Sequence, residues 1–196
     1  MKIIVLKDVK QVPWKNGLGS STEYLINPPA VDVRFEKFNY RMSSALVTAE
    51  STFSYYKGYK RILILLNGEM TLTHKNSVGK ESSIELKRLT SYSFSGDDLT
   101  TAKVTSEGEL LDLNFIYRAE KFEVKSKIIT GMRSLTIVPR KTYFLFSPES
   151  KFYLDQQEIP PNKVVVVSAE KPMPCQVFVG TTILFELTAL EVRSKP

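Results

Sequence analysis

Apolar residues recur along this chain in short runs or at every second position, and rarely at helical spacing. Between Ala119 and Ile129, the residues Phe122, Val124, Ser126 and Ile128 share one parity, which is the period of a strand. No window of a dozen residues sustains the i, i+3, i+4, i+7 pattern of an amphipathic helix. The pattern predicts strands over Ile3–Leu6, Thr22–Ile26, Tyr40–Val47, Arg61–Leu66, Met70–His74, Ser91–Phe94, Thr101–Thr105 and Leu110–Tyr117. It predicts further strands over Ser134–Pro139, Tyr143–Phe146, Phe152–Leu154, Val164–Ser168, Cys175–Val179 and Thr182–Leu187. Many short strands between turn residues predict an all-β sandwich or barrel with few helices.

Turn residues punctuate the strands. Asn67-Gly68 lies between Ile62–Leu66 and Met70–Leu72 and predicts a tight hairpin, because both residues tolerate positive φ. Asn27-Pro28-Pro29 stops the strand before it. The order of elements also repeats. One copy runs from Ile62–Leu66 through Thr71–His74, Ser91–Phe94 and Ala102–Thr105 to Leu111–Ile116. The other runs from Tyr143–Phe146 through Phe152–Leu154, Val164–Val167 and Gln176–Val179 to Leu184–Leu187. Two similar antiparallel units fit this order; the residues barely match, so chance recurrence of short strands fits it too.

Composition narrows the chemistry. The chain has 196 residues, 42% hydrophobic and 24% charged, with a net charge of +6, ordinary for a globular protein of one large domain or two small ones. It has one cysteine, Cys175, and one histidine, His74. An internal disulfide framework, a zinc finger and a CxxC site are therefore excluded, and any His-based catalytic triad depends on His74. His74 is followed by Lys75-Asn76-Ser77 and reads as a solvated loop edge. Cys175 reads as a partly buried small residue with no neighbouring base to activate it. The longest apolar runs are Ile3–Leu6, Ile62–Leu66 and Val164–Val167, short of the roughly 18 residues of a membrane span and the roughly 7 of a signal peptide. A soluble, cytoplasmic protein is expected, in agreement with the scarcity of cysteine.

Four segments carry candidate chemistry. Pro13 to Thr22 gathers the only tryptophan, Trp14, with Lys15, Asn16, Gly17, Gly19 and three hydroxyls. Such a run suits a lip over a pocket; a polar turn anchored by Trp14 suits it too. On Tyr40–Val47 a period of two places Arg41, Ser43, Ala45 and Val47 on one face. Arg41 there needs a carboxylate, internal or from a ligand. Phe53 to Arg61 interleaves four aromatics with three basic residues. That suits a nucleic-acid surface, but acids are spread throughout and no basic run reaches five residues, so nucleic acid is not expected as a partner. Asp97 follows Phe94-Ser95-Gly96, and Asp112 and Asn114 share a face of the strand at Leu110–Tyr117. Asp112 suits an ion pair with Arg41 or Arg61 inside a barrel, and ligand binding equally.

Together these segments resemble the HutD/Ves family of double-cupin proteins. The family's Trp-Lys-Asn-Gly opening is similar to Trp14-Lys15-Asn16-Gly17, followed by Ser21-Thr22-Glu23. Its aromatic-Arg-x-Ser-x-Ala run is similar to Tyr40–Ala45, and later blocks to Phe53-Ser54, Gly58–Arg61, Phe94–Asp97 and Asp112–Tyr117. Leu18 stands where the family commonly has a third glycine, and Tyr40 where it has tryptophan. The resemblance implies two double-stranded β-helix (jelly-roll) barrels, here residues 1–120 with the pocket and residues 121–196 as a smaller barrel. It also implies a non-catalytic binder of a small anionic metabolite, such as formylglutamate, with a regulatory role in histidine utilisation or stress response. The expected ligand residues are Trp14, Lys15, Asn16, Arg41, Ser43, Phe53, Arg61, Asp97, Asp112 and Asn114. Cupin enzymes present two or three histidines and a carboxylate to a metal. With one histidine, no metal and no cofactor are expected, and a metal-independent enzyme acting on a small acid is the alternative. No membrane partner is expected, and a homodimer is plausible on general grounds.

Overall fold

The computed structural model describes residues 1–6, 9–13, 19–32, 36–47, 49–178 and 180–191. All regular structure among them is β, in nineteen strands. The chain divides into two compact units, Val9–Glu120 and Met1–Asp8 with Lys121–Pro196.

The unit of residues 9–120 contains β2 (Lys10–Pro13), β3 (Gly19–Asn27), β4 (Tyr40–Val47), β5 (Ser51–Thr52) and β6 (Tyr59–Asn67). It continues with β7 (Met70–Lys75), β8 (Glu81–Leu86), β9 (Ser91–Ser95), β10 (Leu99–Val104) and β11 (Leu110–Arg118). A six-stranded sheet runs β2-β3-β4-β11-β6-β9 and a four-stranded sheet runs β5-β10-β7-β8. Val47, Leu63, Leu65, Met70, Leu72, Leu86, Phe94, Ala102 and Leu110 form the core of this unit.

The other unit begins with β1 (Lys2–Val5), then β12 (Phe122–Thr130), β13 (Arg133–Ile137), β14 (Lys141–Phe146) and β15 (Phe152–Leu154). It ends with β16 (Gln157–Ile159), β17 (Val164–Ser168), β18 (Met173–Phe178) and β19 (Thr181–Ala189). Its sheets run β1-β17-β14-β19-β12 and β13-β18-β15-β16. Residues 1–8 thus depart from the boundary expected at 120. The reason is pairing: β1 lies antiparallel to β17, with Ile3 opposite Val167. Ile137, Leu145, Phe152, Leu154, Ile159, Val165, Val167, Cys175 and Val177 fill the core.

The repeat is visible in the pairing. In one unit β11 lies between β4 and β6; in the other β19 lies between β12 and β14. In the facing sheets the order β5-β10-β7-β8 matches β13-β18-β15-β16. The hairpin expected at Asn67-Gly68 does not form. Gly68 has φ +81°, and a Cβ there would stand 3.2 Å from Leu110 Cα, so the turn needs glycine. Yet β6 pairs with β11 and β9, while β7 pairs with β8 and β10. Turn chemistry reverses the chain, but burial selects the partner: β6 is buried at seven of nine positions and takes a central place.

Candidate functional site

Residues opposite one another across an antiparallel ladder project to the same face. The register of the six-stranded sheet therefore places Arg41, Ile116, Arg61 and Phe94 in one transverse row. Glu23, Ser43, Asn114, Leu63 and Tyr92 form the next row. Ala45, Asp112 and Leu65 belong to a third. Leu63, Leu65 and Phe94 belong to the core, so this polar lattice shares its face with the core. Ser43, Arg61, Asp112 and Asn114 are all buried, at 5%, 4%, 1% and 5% exposure.

Arg61 is the most unusual of them. Its Nη1 donates to the Ser54 carbonyl at 3.1 Å. Its guanidinium lies 4.6 Å from the Phe53 ring centroid, 5.4 Å from Phe94 and 5.8 Å from Tyr56. Its Nε has no hydrogen-bond partner, and it makes no ion pair among the described residues. A buried guanidinium without a carboxylate is costly. Burial lowers its pKa to about 10, partly offset by Tyr56 and Asp112.

Asp112 does not supply the counterion. Its Oδ1 accepts from the Ala45 amide at 3.1 Å, while Oδ2 is buried with no partner. Burial raises its pKa to about 7, against the pull of Arg61 and of that hydrogen bond. Asn114 Oδ1 is also buried and unpartnered. Arg41 is settled differently: its Nε donates to Glu23 Oε2 at 2.7 Å. Of the pairings expected for Arg41, the internal carboxylate is the one formed, and Glu23 rather than Asp112 provides it.

The aromatic cradle around Arg61 is held by backbone hydrogen bonds through Gly96. Gly96 N donates to the Tyr59 carbonyl at 2.8 Å, and Tyr56 N donates to the Gly96 carbonyl at 2.9 Å. A Cβ on Gly96 would lie 2.5 Å from the Tyr56 carbonyl oxygen, so only glycine permits the approach. Asp97 is exposed, and its Oδ1 accepts from Gly58 N at 2.9 Å. Asp97 thus stands apart from the buried group and pins the loop that carries Phe53 and Tyr56. Trp14, Lys15 and Asn16 lie outside the described residues.

His74 requires a correction. It is 5% exposed, not a solvated edge. On β7 it shares the parity of Met70 and Leu72 and stands opposite Thr100. Its ring packs on Phe94 at 5.0 Å and Tyr92 at 5.5 Å between centroids. The polar residues after it hid a parity that Met70-x-Leu72-x-His74 already carried. Cys175 is buried in the other barrel, where burial pushes its thiol up to about 12. Among the described residues no three His, Cys, Asp or Glu side chains gather as metal ligands, so the residues present do not fit a cupin metal centre. Among the same described residues no helix is long and apolar enough to cross a membrane.

A family model described as HutD matches residues 6–185. Protein Ves of Citrobacter koseri is 31% identical over 126 residues, 62% of this chain and 61% of that protein's length. An uncharacterized 21.2 kDa protein in the hutC 3′ region of Pseudomonas putida is 27% identical over 151 residues, 76% of this chain and 75% of that one. The structure of HutD from Pseudomonas fluorescens, formate condition, superposes with a TM-score of 0.82 at 25% identity, covering 97% of this chain and all of that one. The Lactobacillus farciminis oxalate decarboxylase formate complex superposes at 0.63 with 8% identity, covering 97% and 88%. The nickel(II) complex of an Escherichia coli pirin superposes at 0.64 with 9% identity, covering 97% and 100%. The last two likenesses carry the fold alone, the jelly-roll cupin fold expected from the sequence.

Proposed function

The chain belongs to the HutD family, and from that premise we propose that the barrel of residues 9–120 binds a small carboxylate metabolite without converting it. The role is regulatory, in histidine utilisation or in a stress response. One observation carries this reading: Arg61 is buried with an unpartnered Nε and no counterion among the described residues. A ligand carboxylate supplies the missing charge and accepts from the guanidinium edge. Ser43 and Asn114 in the adjoining row are within the same buried lattice and add polar contacts. The formate condition of the Pseudomonas fluorescens HutD structure and the hutC-region setting of the Pseudomonas putida relative are consistent with it.

A thermal-shift screen tests the proposal. Small acids of the histidine-degradation type raise the melting temperature of the wild type, and Arg61→Ala removes the shift. No shift across the panel overturns the ligand class. A second reading, metal-independent acid–base chemistry on a small acid, draws on Asp112, whose pKa of about 7 suits a proton-transfer group. Turnover of the bound acid, followed by NMR and abolished in Asp112→Asn, distinguishes it from binding alone.

A further inference from the structure

The orphaned groups around Arg61 are not all of one kind. Asn114 Oδ1 is a hydrogen-bond acceptor without a donor. His74 Nε2 is also unpartnered, and its neighbours bear on which role it takes. The Thr100 hydroxyl donates its single proton to the Asp98 carbonyl at 3.3 Å. With its proton there, it accepts at the 2.9 Å contact with His74 Nδ1, and the matching tautomer carries the ring proton on Nδ1. Burial lowers the pKa of His74, which favours the neutral imidazole, and in that tautomer Nε2 presents a lone pair.

The position of the ring connects this lone pair to the polar lattice. His74 comes from the four-stranded sheet and packs on Phe94 and Tyr92. Phe94 ends the row of Arg61, and Tyr92 ends the row of Asn114. One cationic donor and two neutral acceptors thus belong to adjoining parts of one interior.

We propose that this barrel selects, among small carboxylates, those that also carry an N–H or O–H donor, and that His74 is the residue that reads the donor. The inference rests on the carboxylate reading above and adds to it. Arg61 takes the charge; His74 Nε2, assisted by Asn114 Oδ1, takes the donor. An acid lacking the donor leaves both acceptors buried and unsatisfied, which is how a polar site rejects an analogue.

Two matched pairs of acids test it by calorimetric titration near neutral pH: lactate against 2-methoxypropionate, and N-acetylglycine against its N-methyl analogue. Each pair keeps its charge and changes the donor. In the wild type the donor-bearing member binds about tenfold tighter. His74→Leu erases that ratio while both members still bind, and His74→Gln, which keeps an acceptor, retains it. Because the chain has one histidine, its imidazole nitrogens are also read directly by 15N NMR. The unprotonated Nε2 resonance moves with the donor-bearing acid and stays still with its partner.

Equal affinities within both pairs, or a ratio that survives His74→Leu, overturn the role of His74 and leave the carboxylate site standing. Absence of binding by all four acids in the wild type overturns both. If His74→Leu does not fold, the wild-type resonance decides, and an Nε2 signal unmoved by a bound donor acid overturns the proposal.

Discussion

Leu65 and Leu145 hold the same place in the two barrels, each two residues ahead of the turn that carries the chain to the facing sheet. Opposite Leu65 stands Asp112; opposite Leu145 stands Leu184. Four residues earlier on the same strands stand Arg61 and Lys141. Lys141 is ion-paired to Glu186, whereas Arg61 has no carboxylate within ion-pair reach among the described residues. One scaffold therefore carries two interiors. In the barrel completed by residues 121–196 the one unpartnered buried side-chain atom among the described residues is the uncharged Thr182 hydroxyl, and the cation at this place, Lys141, is neutralised at home. In the barrel of residues 9–120 a buried cation, an acid, an amide and an imidazole each retain an unpartnered atom. Burial of unpaired polar groups is destabilising, so four of them in one interior, against a single hydroxyl in the other, support the proposed binding role of the barrel of residues 9–120.

The comparison breaks most sharply by exchange. Leu184→Asp places an acid where the apolar barrel has no cation and no hydrogen-bond donor set for it. Denaturant titration is expected to show a loss of about 4 kcal/mol. A loss under about 1 kcal/mol would mean that the two interiors tolerate charge alike.

The acid in the polar barrel sets the next effect. The folded pKa of Asp112 is raised to about 7 from 3.8. The folded state thus holds the proton more tightly than the unfolded chain. Its contribution is fully present below the unfolded value and is lost as pH rises from about 4 through about 7. Between pH 5 and pH 8 the wild type is expected to lose about 2–3 kcal/mol relative to Asp112→Asn, which keeps the acceptor for the Ala45 amide. Parallel pH profiles of the two proteins would remove Asp112 from the buried acids.

Gly96→Ala acts one step further out. Its Cβ meets the Tyr56 carbonyl at 2.5 Å, a backbone contact that forces the segment carrying Phe53 and Tyr56 to shift. Expected are about 2 kcal/mol of destabilisation and weaker acid binding in the same variant, both read by titration. The smallest effect belongs to Lys141→Met. That ion pair is roughly one-third exposed, at 32% and 26%, so its loss is expected to cost less than about 1 kcal/mol and to leave acid binding unchanged.

The fold was legible wherever strands alternate or are buried on both faces. The strands expected at Tyr40–Val47, Leu110–Tyr117 and Thr182–Leu187 lie within β4, β11 and β19. The strands missed are short or at the edges. In β8 only Ile84 and Leu86 turn away from solvent, β5 has two residues and β16 three, and β2 pairs only with β3. An edge strand exposes one side, so its sequence needs little hydrophobic signal. The same logic separates the candidate residues by where the structure places them. Arg41, Ser43, Arg61, Asp112 and Asn114 were readable by parity on strongly patterned strands. Asp97 carried no parity and proved to hold a loop. His74 was obscured because its strand ends in the polar run Lys75-Asn76-Ser77. The Glu23–Arg41 pair depends on a register with a bulge between Glu23 and Leu25, which spacing along one chain does not encode.

Arg61 is where the proposed function separates the two barrels most, and calorimetric titration of a binding acid identified in the thermal-shift screen reads that difference directly. The wild type and Lys141→Met are expected to bind with the same affinity, and Arg61→Met about a hundredfold more weakly or not at all. Equal binding by Arg61→Met, with the protein folded, would contradict the assignment of the missing counterion to a ligand.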